Sequence, residues 1–200
     1  VWVPWALWEA YGDASVLERQ YASMTSHVRH VASLLSPAGL WDTGFQFGDW
    51  LDPDAPPEHP ADAKADPAVV ATACAYRSAT MMADTADLLG RTDDAEEFRG
   101  LATRIRIAFN SAYVAGGRIT SDCTTVYTLA IVFDLLDDAD RKESGPRLAE
   151  LVAESGYRIS TGFAGTPFVM DALSSTGHIG TAGQLLLQRE CPSWLYPVTM

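Results

Sequence analysis

The sequence has few cysteines, and these are not arranged as a metal site or a disulfide framework. Its three cysteines, Cys74, Cys123 and Cys191, lie far apart and form no Cys-x-x-Cys pair. We therefore predict buried thiols, without zinc and without a set of disulfides. His27 and His30 stand three apart with no third ligand evident, so no metal and no cofactor is expected.

Positive charge and long apolar runs are also scarce. The 14 Lys and Arg residues stand against 26 Asp and Glu residues, a formal net charge of −12. Such a charge repels nucleic acid and anionic lipid, so neither is expected as a partner. Every apolar stretch is interrupted before the roughly 20 residues that a membrane span needs. A neutral ligand remains compatible with this charge.

What the chain has is enough apolar sequence for one core. It has 200 residues, 48% of them hydrophobic, which predicts a single domain over residues 1–200. The sequence begins at Val1 and ends at Met200 just after an aromatic cluster, so we expect a piece of a longer protein. The compartment is left open, with the cytoplasm slightly favoured over secretion.

Apolar residues recur three or four apart, which is the spacing of one face of an α-helix. The first such series is Leu17, Tyr21, Met24, Val28, Val31 and Leu35; the second is Phe98, Leu101, Ile105, Ala108 and Ala112; the third is Val126, Leu129, Phe133 and Leu136. Ser15 and Glu18 fit a capping box. Asp66-Pro67 fits an N-cap and first-turn proline that open a helix running to about Leu89.

Three shorter helices are predicted towards the end of the chain. They cover residues 139–154, 167–174 and 181–188. Because Gly145-Pro146 falls inside the first of them, we expect a kink or a late start there.

The connections between helices alternate in length. Tight polar turns are predicted at residues 11–13, 90–93, 137–140 and 176–178, and long connections at 36–66, 113–124, 155–166 and from Cys191. Each tight turn closes a helical hairpin, so all long connections gather at one end of the assembly. Functional residues are expected at that end.

This pattern predicts an all-α fold, a partial α/α toroid built of about four hairpins; by analogy with known toroidal families, a closed (α/α)6 ring would take about six. The first helix of each pair is rich in small residues, as in residues 71–75, which suits a helix packed on both sides. The alternative is an open repeat scaffold of the tetratricopeptide kind. Its regular period of about 34 residues is not seen in these unequal pairs.

The long connection at residues 39–54 combines aromatic rings, carboxylates and glycines. Sugars stack their C–H faces on aromatic rings and donate hydroxyl hydrogen bonds to carboxylates. We therefore interpret Asp49-Trp50 as a ligand-binding pair. Trp41, Phe45 and Phe47 fit equally well as apolar plugs at the end of the toroid.

Two further loops are candidates for the same site. Residues 160–167 place glycines and threonines before a helix start, where backbone amides are free, and residues 192–197 contain Trp194. Local packing explains either loop equally well. Residues 121–125 are interpreted as an N-cap without a catalytic role.

Three motifs, in this order and spacing, resemble the catalytic domain of the α-L-rhamnosidases of glycoside hydrolase family 78. They are Gly48-Asp49-Trp50-Leu51, Thr161-Gly162-Phe163-Ala164-Gly165-Thr166-Pro167 and Pro192-Ser193-Trp194-Leu195-Tyr196. The resemblance implies hydrolysis of terminal α-L-rhamnose with inversion, by a general acid and a general base. It places the acid glutamate before this chain and the base glutamate beyond Met200. No catalytic residue is therefore expected within the chain.

The resemblance also suggests which residues bind the substrate, a small-molecule or oligosaccharide rhamnoside. Trp50 matches an aromatic residue that lines the rhamnose subsite, and Asp49 is its support or a partner of a sugar hydroxyl. Thr161, Gly162, Phe163 and Trp194 also match positions of the family pattern, which implies contacts with the substrate less directly. A partial ring would expose two cut faces through which a dimer could form. The alternatives are a trehalase-like or glucosidase-like toroidal enzyme and a non-catalytic helical scaffold.

Overall fold

The computed structural model describes residues 1–200, apart from the side chain of Thr199. Within that description the helices are α1 Trp2–Tyr11, α2 Ser15–Leu34, α3 Pro67–Leu88, α4 Thr92–Tyr113, α5 Thr124–Val132, α6 Asp138–Glu154, α7 Val169–Ser175, α8 Ile179–Leu187 and α9 Tyr196–Thr199. Two short strands, β1 Val114–Ala115 and β2 Arg118–Ile119, pair antiparallel between α4 and α5. The all-α prediction is confirmed.

Consecutive helices pack as four hairpins, α1–α2, α3–α4, α5–α6 and α7–α8. The first turn is closed by Gly12, which adopts a left-handed conformation (φ +69°) and donates its N–H to the carbonyl of Trp8 at 2.7 Å. This is the usual way in which glycine ends a helix. The long connections, residues 35–66, 114–123, 155–168 and 188–195, follow the second helix of each pair. The predicted alternation of connections is therefore confirmed.

The two helices of a hairpin differ in burial. In α3, 14 of 22 residues are buried and in α5, 8 of 9 are, against 6 of 20 in α2 and 6 of 22 in α4. Small side chains on α3 let neighbouring helices approach from both sides, while the charged faces of α2 and α4 meet water. The predicted difference between inner and outer helices is therefore seen in the second and third hairpins, but not in the first, where only Trp5 of α1 is buried.

Several local predictions were wrong at helix starts. The N-cap of α2 is Ala14, and Asp13 just before it accepts the Ser15 N–H through its Oδ1 at 2.9 Å, while the Ser15 hydroxyl accepts from Arg19 instead. The helix α6 runs without interruption through Pro146, having begun at Asp138. Its start is early because the Asp137 carboxylate accepts the Asp140 N–H, so a late start is excluded.

Two side chains also lie elsewhere than expected. Ala112 is exposed because the buried face of α4 passes through Phe109 instead. Cys191 is exposed, unlike the predicted buried thiol, because it lies in the long connection after α8. The predicted cap at α3 is correct, since the Asp66 carboxylate accepts the Ala68 N–H at 2.8 Å. No helix in the described part of the chain has the length and apolar character of a membrane span.

Candidate functional site

The site is built where two long connections meet, and the carboxylate of Asp49 joins them. Asp49 has no exposed surface. Its Oδ1 accepts the N–H groups of Ala164 at 2.9 Å and Gly165 at 3.1 Å, and its Oδ2 accepts the Gly162 N–H at 2.7 Å and a short hydrogen bond from the Thr125 hydroxyl. Within the described chain no basic side chain forms an ion pair with Asp49. Peptide dipoles and one hydroxyl therefore stabilise this buried charge.

Close approach of the two backbones explains the glycines of the 155–168 connection. A Cβ at Gly162 would overlap the carbonyl oxygens of Asp49 and Trp50. A Cβ at Gly165 would lie 2.9 Å from the Thr125 hydroxyl oxygen. The Phe163 N–H completes the contact by donating to the carbonyl of Trp50 at 2.9 Å. Glycine is thus required here for space.

An apolar pocket opens above this contact, with a volume of about 520 Å³. Its lining consists of Phe47, Gly48, Trp50, Phe163 and Ala164. The Phe47 and Trp50 rings meet edge to face, with centroids 5.4 Å apart, and the rings of Phe47 and Phe163 are 63% and 70% exposed. Exposed ring faces set around a concavity suit the C–H faces of a sugar.

The predicted site residues divide into two groups. Trp50 and Phe163 reach the pocket, whereas Asp49, Thr161 and Gly162 are buried behind it. The Thr161 hydroxyl is paired with that of Thr166 at 2.8 Å. Since both oxygens of the Asp49 carboxylate are occupied, the geometry favours its role as support over a direct bond to a sugar hydroxyl.

Trp194 is not brought to this pocket. It is partly buried against the core and lines a narrow gap with Val152, Ile159 and Leu185. The indole therefore contacts the back of the 155–168 connection, where packing against the neighbouring helices is its visible role.

Sequence reasoning missed Thr125. The predicted cap over residues 121–125 is wrong in detail, because the N-cap of α5 is Cys123 and makes no side-chain capping bond. Thr125 instead turns its hydroxyl towards Asp49. The available signal was a pair of threonines in the first turn of an inner helix that starts at the long-connection end.

A second missed feature fixes the chain just after Trp50. Asp52 is buried, and its Oδ1 lies 2.6 Å from the Nζ of Lys64, which also lies 2.6 Å from Asp54. Burial alone would lower the pKa of Lys64, but its hydrogen bonds to Asp52 and Asp54 outweigh burial and raise it. The ion pair closes the segment between residues 52 and 64 into a fixed loop.

The thiols beneath the site are not nucleophiles. Burial raises the pKa of Cys74 to about 12 and that of Cys123 to about 11, and the charge of Asp49 adds to both shifts. A thiol with such a pKa stays protonated near neutral pH. Among the described residues no group of three or more His, Cys, Asp or Glu is placed to hold a metal ion.

The chain matches a known protein family over its whole length. Residues 1–200 match the family described as the bacterial alpha-L-rhamnosidase 6 hairpin glycosidase domain. The chain belongs to this family. The α-L-rhamnosidase resemblance seen in the sequence is confirmed, and so is the six-hairpin toroid over the open helical repeat.

Individual α-L-rhamnosidases are similar over nearly the whole chain. The α-L-rhamnosidase of Streptomyces avermitilis is 40% identical, covering 99% of this chain and 18% of the relative, and that of Formosa agariphila is 31% identical, covering 98% and 21%. The chain thus spans about a fifth of the length of these relatives.

Solved structures agree with this assignment. Native α-L-rhamnosidase from Aspergillus terreus superposes with a TM-score of 0.91 at 31% identity, over 99% of this chain and 23% of that one. The Streptomyces avermitilis α-L-rhamnosidase complexed with L-rhamnose gives 0.85 at 39% identity, over 98% and 18%.

Proposed function

We propose that the protein containing this domain hydrolyses terminal α-L-rhamnose from small-molecule or oligosaccharide glycosides, with inversion. This chain would supply part of the sugar-binding surface of an incomplete six-hairpin domain over residues 1–200. The observation that carries the proposal is the aromatic pocket around Trp50, held by Asp49 at the junction of two long connections. The family membership supplies the reaction.

Inversion needs two carboxyl groups on opposite sides of the scissile bond, one to protonate the leaving oxygen and one to activate water. Asp49 fits neither role, because it is fully buried and all its hydrogen bonds are made within the protein. Asp52 is likewise buried and paired with Lys64. We therefore assign this chain a binding role and place both catalytic carboxyl groups outside it.

Trp50 is the residue proposed to contact the sugar, with Phe163 on the facing connection. The 6-deoxy sugar rhamnose carries a methyl group in place of a hydroxymethyl, so an apolar wall is a suitable partner for it. Thr161 and Gly162 contribute through the shape of the backbone. A contact from Trp194 stays a prediction, and it would require the substrate to extend beyond the aromatic pocket.

The test is Trp50→Ala in the full-length protein, with an aryl rhamnoside as substrate. We expect KM to rise about tenfold, a loss of roughly 1.4 kcal/mol, with little change in thermal stability because the pocket is already open. Tyr11→Ala is the matched control, since Tyr11 is an aromatic residue that is 79% exposed at the tight-turn end of the first hairpin and does not line the pocket. Equal KM values for Trp50→Ala and wild type would return Trp50 to a structural role.

A second expectation concerns the chain by itself. Without the two catalytic carboxyl groups the 200-residue polypeptide should not cleave an aryl rhamnoside. Release of the aryl group above the spontaneous rate would show that this chain contains its own acid and base.

A further inference from the structure

We propose that Asp49 and Thr125 are positioning residues that set the distance between Trp50 and Phe163 across the pocket. The inference rests on the proposed function and deepens it, because it names the residues that shape the sugar-binding site without touching the sugar. Neither residue lines the pocket.

Asp49 links three separate parts of the fold. It belongs to the connection between the first and second hairpins, Thr125 lies in the first turn of α5, and Gly162 lies in the connection between the third and fourth hairpins. The hydrogen bonds of its carboxylate therefore span 76, 113, 115 and 116 residues of sequence. A single side chain fixes two connections and an inner helix relative to one another.

The two pocket walls are each one residue away from this contact. Trp50 follows Asp49, and Phe163 follows Gly162, whose N–H donates to Asp49. The Phe163 N–H in turn donates to the Trp50 carbonyl at 2.9 Å. A shift of the Gly162 peptide relative to Asp49 is therefore passed directly to both aromatic residues.

A carboxylate is the one side-chain group of this size that accepts at both oxygens. In Asp49→Asn one of these positions becomes an NH2 group. The Thr125 hydroxyl can rotate to accept a hydrogen bond, but the Gly162 N–H cannot. Two donors then face each other in a buried site, so the connection must move. Thr125→Val removes a single donor, whereas Thr125→Ser retains it.

The experiment measures KM and kcat of the full-length protein with an aryl rhamnoside. We expect Asp49→Asn to raise KM about tenfold or more, because small misplacements of binding groups have effects of this order. Thr125→Val should raise KM about threefold, as expected for one hydrogen bond, and Thr125→Ser should restore it. Amide hydrogen exchange over residues 159–168 should become faster in Asp49→Asn.

A purely structural role predicts different results. If Asp49 acts through the pocket, its effect should shrink in a Phe163→Ala background, because one of the two positioned walls is already gone. The proposal would be overturned if the factor by which KM rises in the double variant equalled the product of the factors for the two single variants. Faster exchange over residues 159–168 with an unchanged KM in Asp49→Asn would overturn it as well.

The outcomes separate this inference from the proposed function. If Trp50→Ala raises KM and Asp49→Asn does not, the pocket binds sugar and the positioning role alone is rejected. If Trp50→Ala leaves KM unchanged, the pocket is not the sugar site, and both the binding role of this chain and the positioning role of Asp49 are rejected.

Discussion

Two clusters of polar side chains link separate parts of this chain, one in the buried interior and one at the surface. Around Asp49 a fully buried carboxylate is bound by peptide N–H groups and one hydroxyl. Around Arg29 the charges meet water: the guanidinium, 49% exposed, lies 2.8 Å from Asp94 and 2.5 Å from Glu97, and Tyr21 donates to Asp94 at 2.7 Å. The second cluster joins α2 to α4 on the outer surface.

The comparison indicates that the presence of ion pairs in a cluster does not tell how much that cluster contributes to the free energy of unfolding. Exposed ion pairs contribute about 0–1 kcal/mol, because water solvates the separated charges nearly as well. A buried group that loses its partner has no such alternative, so its removal costs several times more. The cluster without any cation is expected to be the stronger of the two.

The sharpest test is truncation of the central carboxylate in each cluster. Asp49→Ala leaves three peptide N–H groups and the Thr125 hydroxyl without partners in the interior, and we expect a loss of about 3–5 kcal/mol. Asp94→Ala should cost less, about 1–2 kcal/mol, because it removes an exposed ion pair with Arg29 and one hydrogen bond from Tyr21. Denaturant unfolding of the full-length protein measures both losses. Hydrogen exchange at residues 159–168 reports in addition on the Asp49 variant. Equal losses would remove the distinction between the clusters.

The next largest effect is expected at Gly162. Gly162→Ala places a methyl group against the carbonyls of Asp49 and Trp50, and overpacking of this kind costs about 1–3 kcal/mol. Gly183→Ala in α8 is the control, since a Cβ there meets nothing within 4 Å and alanine favours a helix by about 0.5–1 kcal/mol. The thermal midpoint should fall for the first variant and rise for the second; a shift in the same direction would contradict the close packing.

The cluster around Arg29 should make the stability of the protein depend on pH. Burial raises the pKa of Tyr21 to about 12, with its hydrogen bond to Asp94 adding to the shift. Because the folded state holds the phenol proton more tightly than the unfolded state, Tyr21 contributes to the free energy of unfolding. This contribution is complete below pH 10 and is lost between about pH 10 and 12. Tyr21→Phe should lessen the fall in stability over that interval without abolishing it, because burial also raises the pKa of Tyr76 and Tyr127. An unchanged slope would contradict this account.

The smallest effect belongs to Arg29. Arg29→Met keeps an aliphatic side chain but removes the guanidinium, whose central carbon lies 5.5 Å from the centroid of the Phe98 ring, so we expect a loss of about 1 kcal/mol. The loss should shrink further in about 1 M salt, where screening acts within about 3 Å. Unfolding curves at low and high salt measure it, and a larger loss that is independent of salt would mean that the cluster is effectively buried.

Much of the fold was predictable because it depends on local patterns. The spacing of Leu17, Tyr21 and Met24 identifies one helix face, and Asp66-Pro67 marks a helix start, both within a few residues of sequence. Local rules failed where two residues could serve the same purpose. Ser15 and Asp13 can both accept an N–H group at the start of α2, and only the backbone path decides that Asp13 does so.

The candidate site was predictable in composition but not in its internal roles. Trp50 and Phe163 were expected on neighbouring connections, and the structure brings both to one pocket. The assignment of Asp49 to support, and the choice of Thr125 as its donor, depend on contacts across 76 residues or more. Periodicity and capping rules carry no information about such pairs.

The long sequence span of the Asp49 contacts has a consequence for the order of assembly. The helical hairpins close over short turns, whereas this contact must bring together chain segments more than a hundred residues apart. The loss of chain entropy grows with such a span and has to be offset by contacts already made. We expect the hairpins to form early and the pocket late, so that a refolding chain regains its helical signal before Trp50 and Phe163 come together.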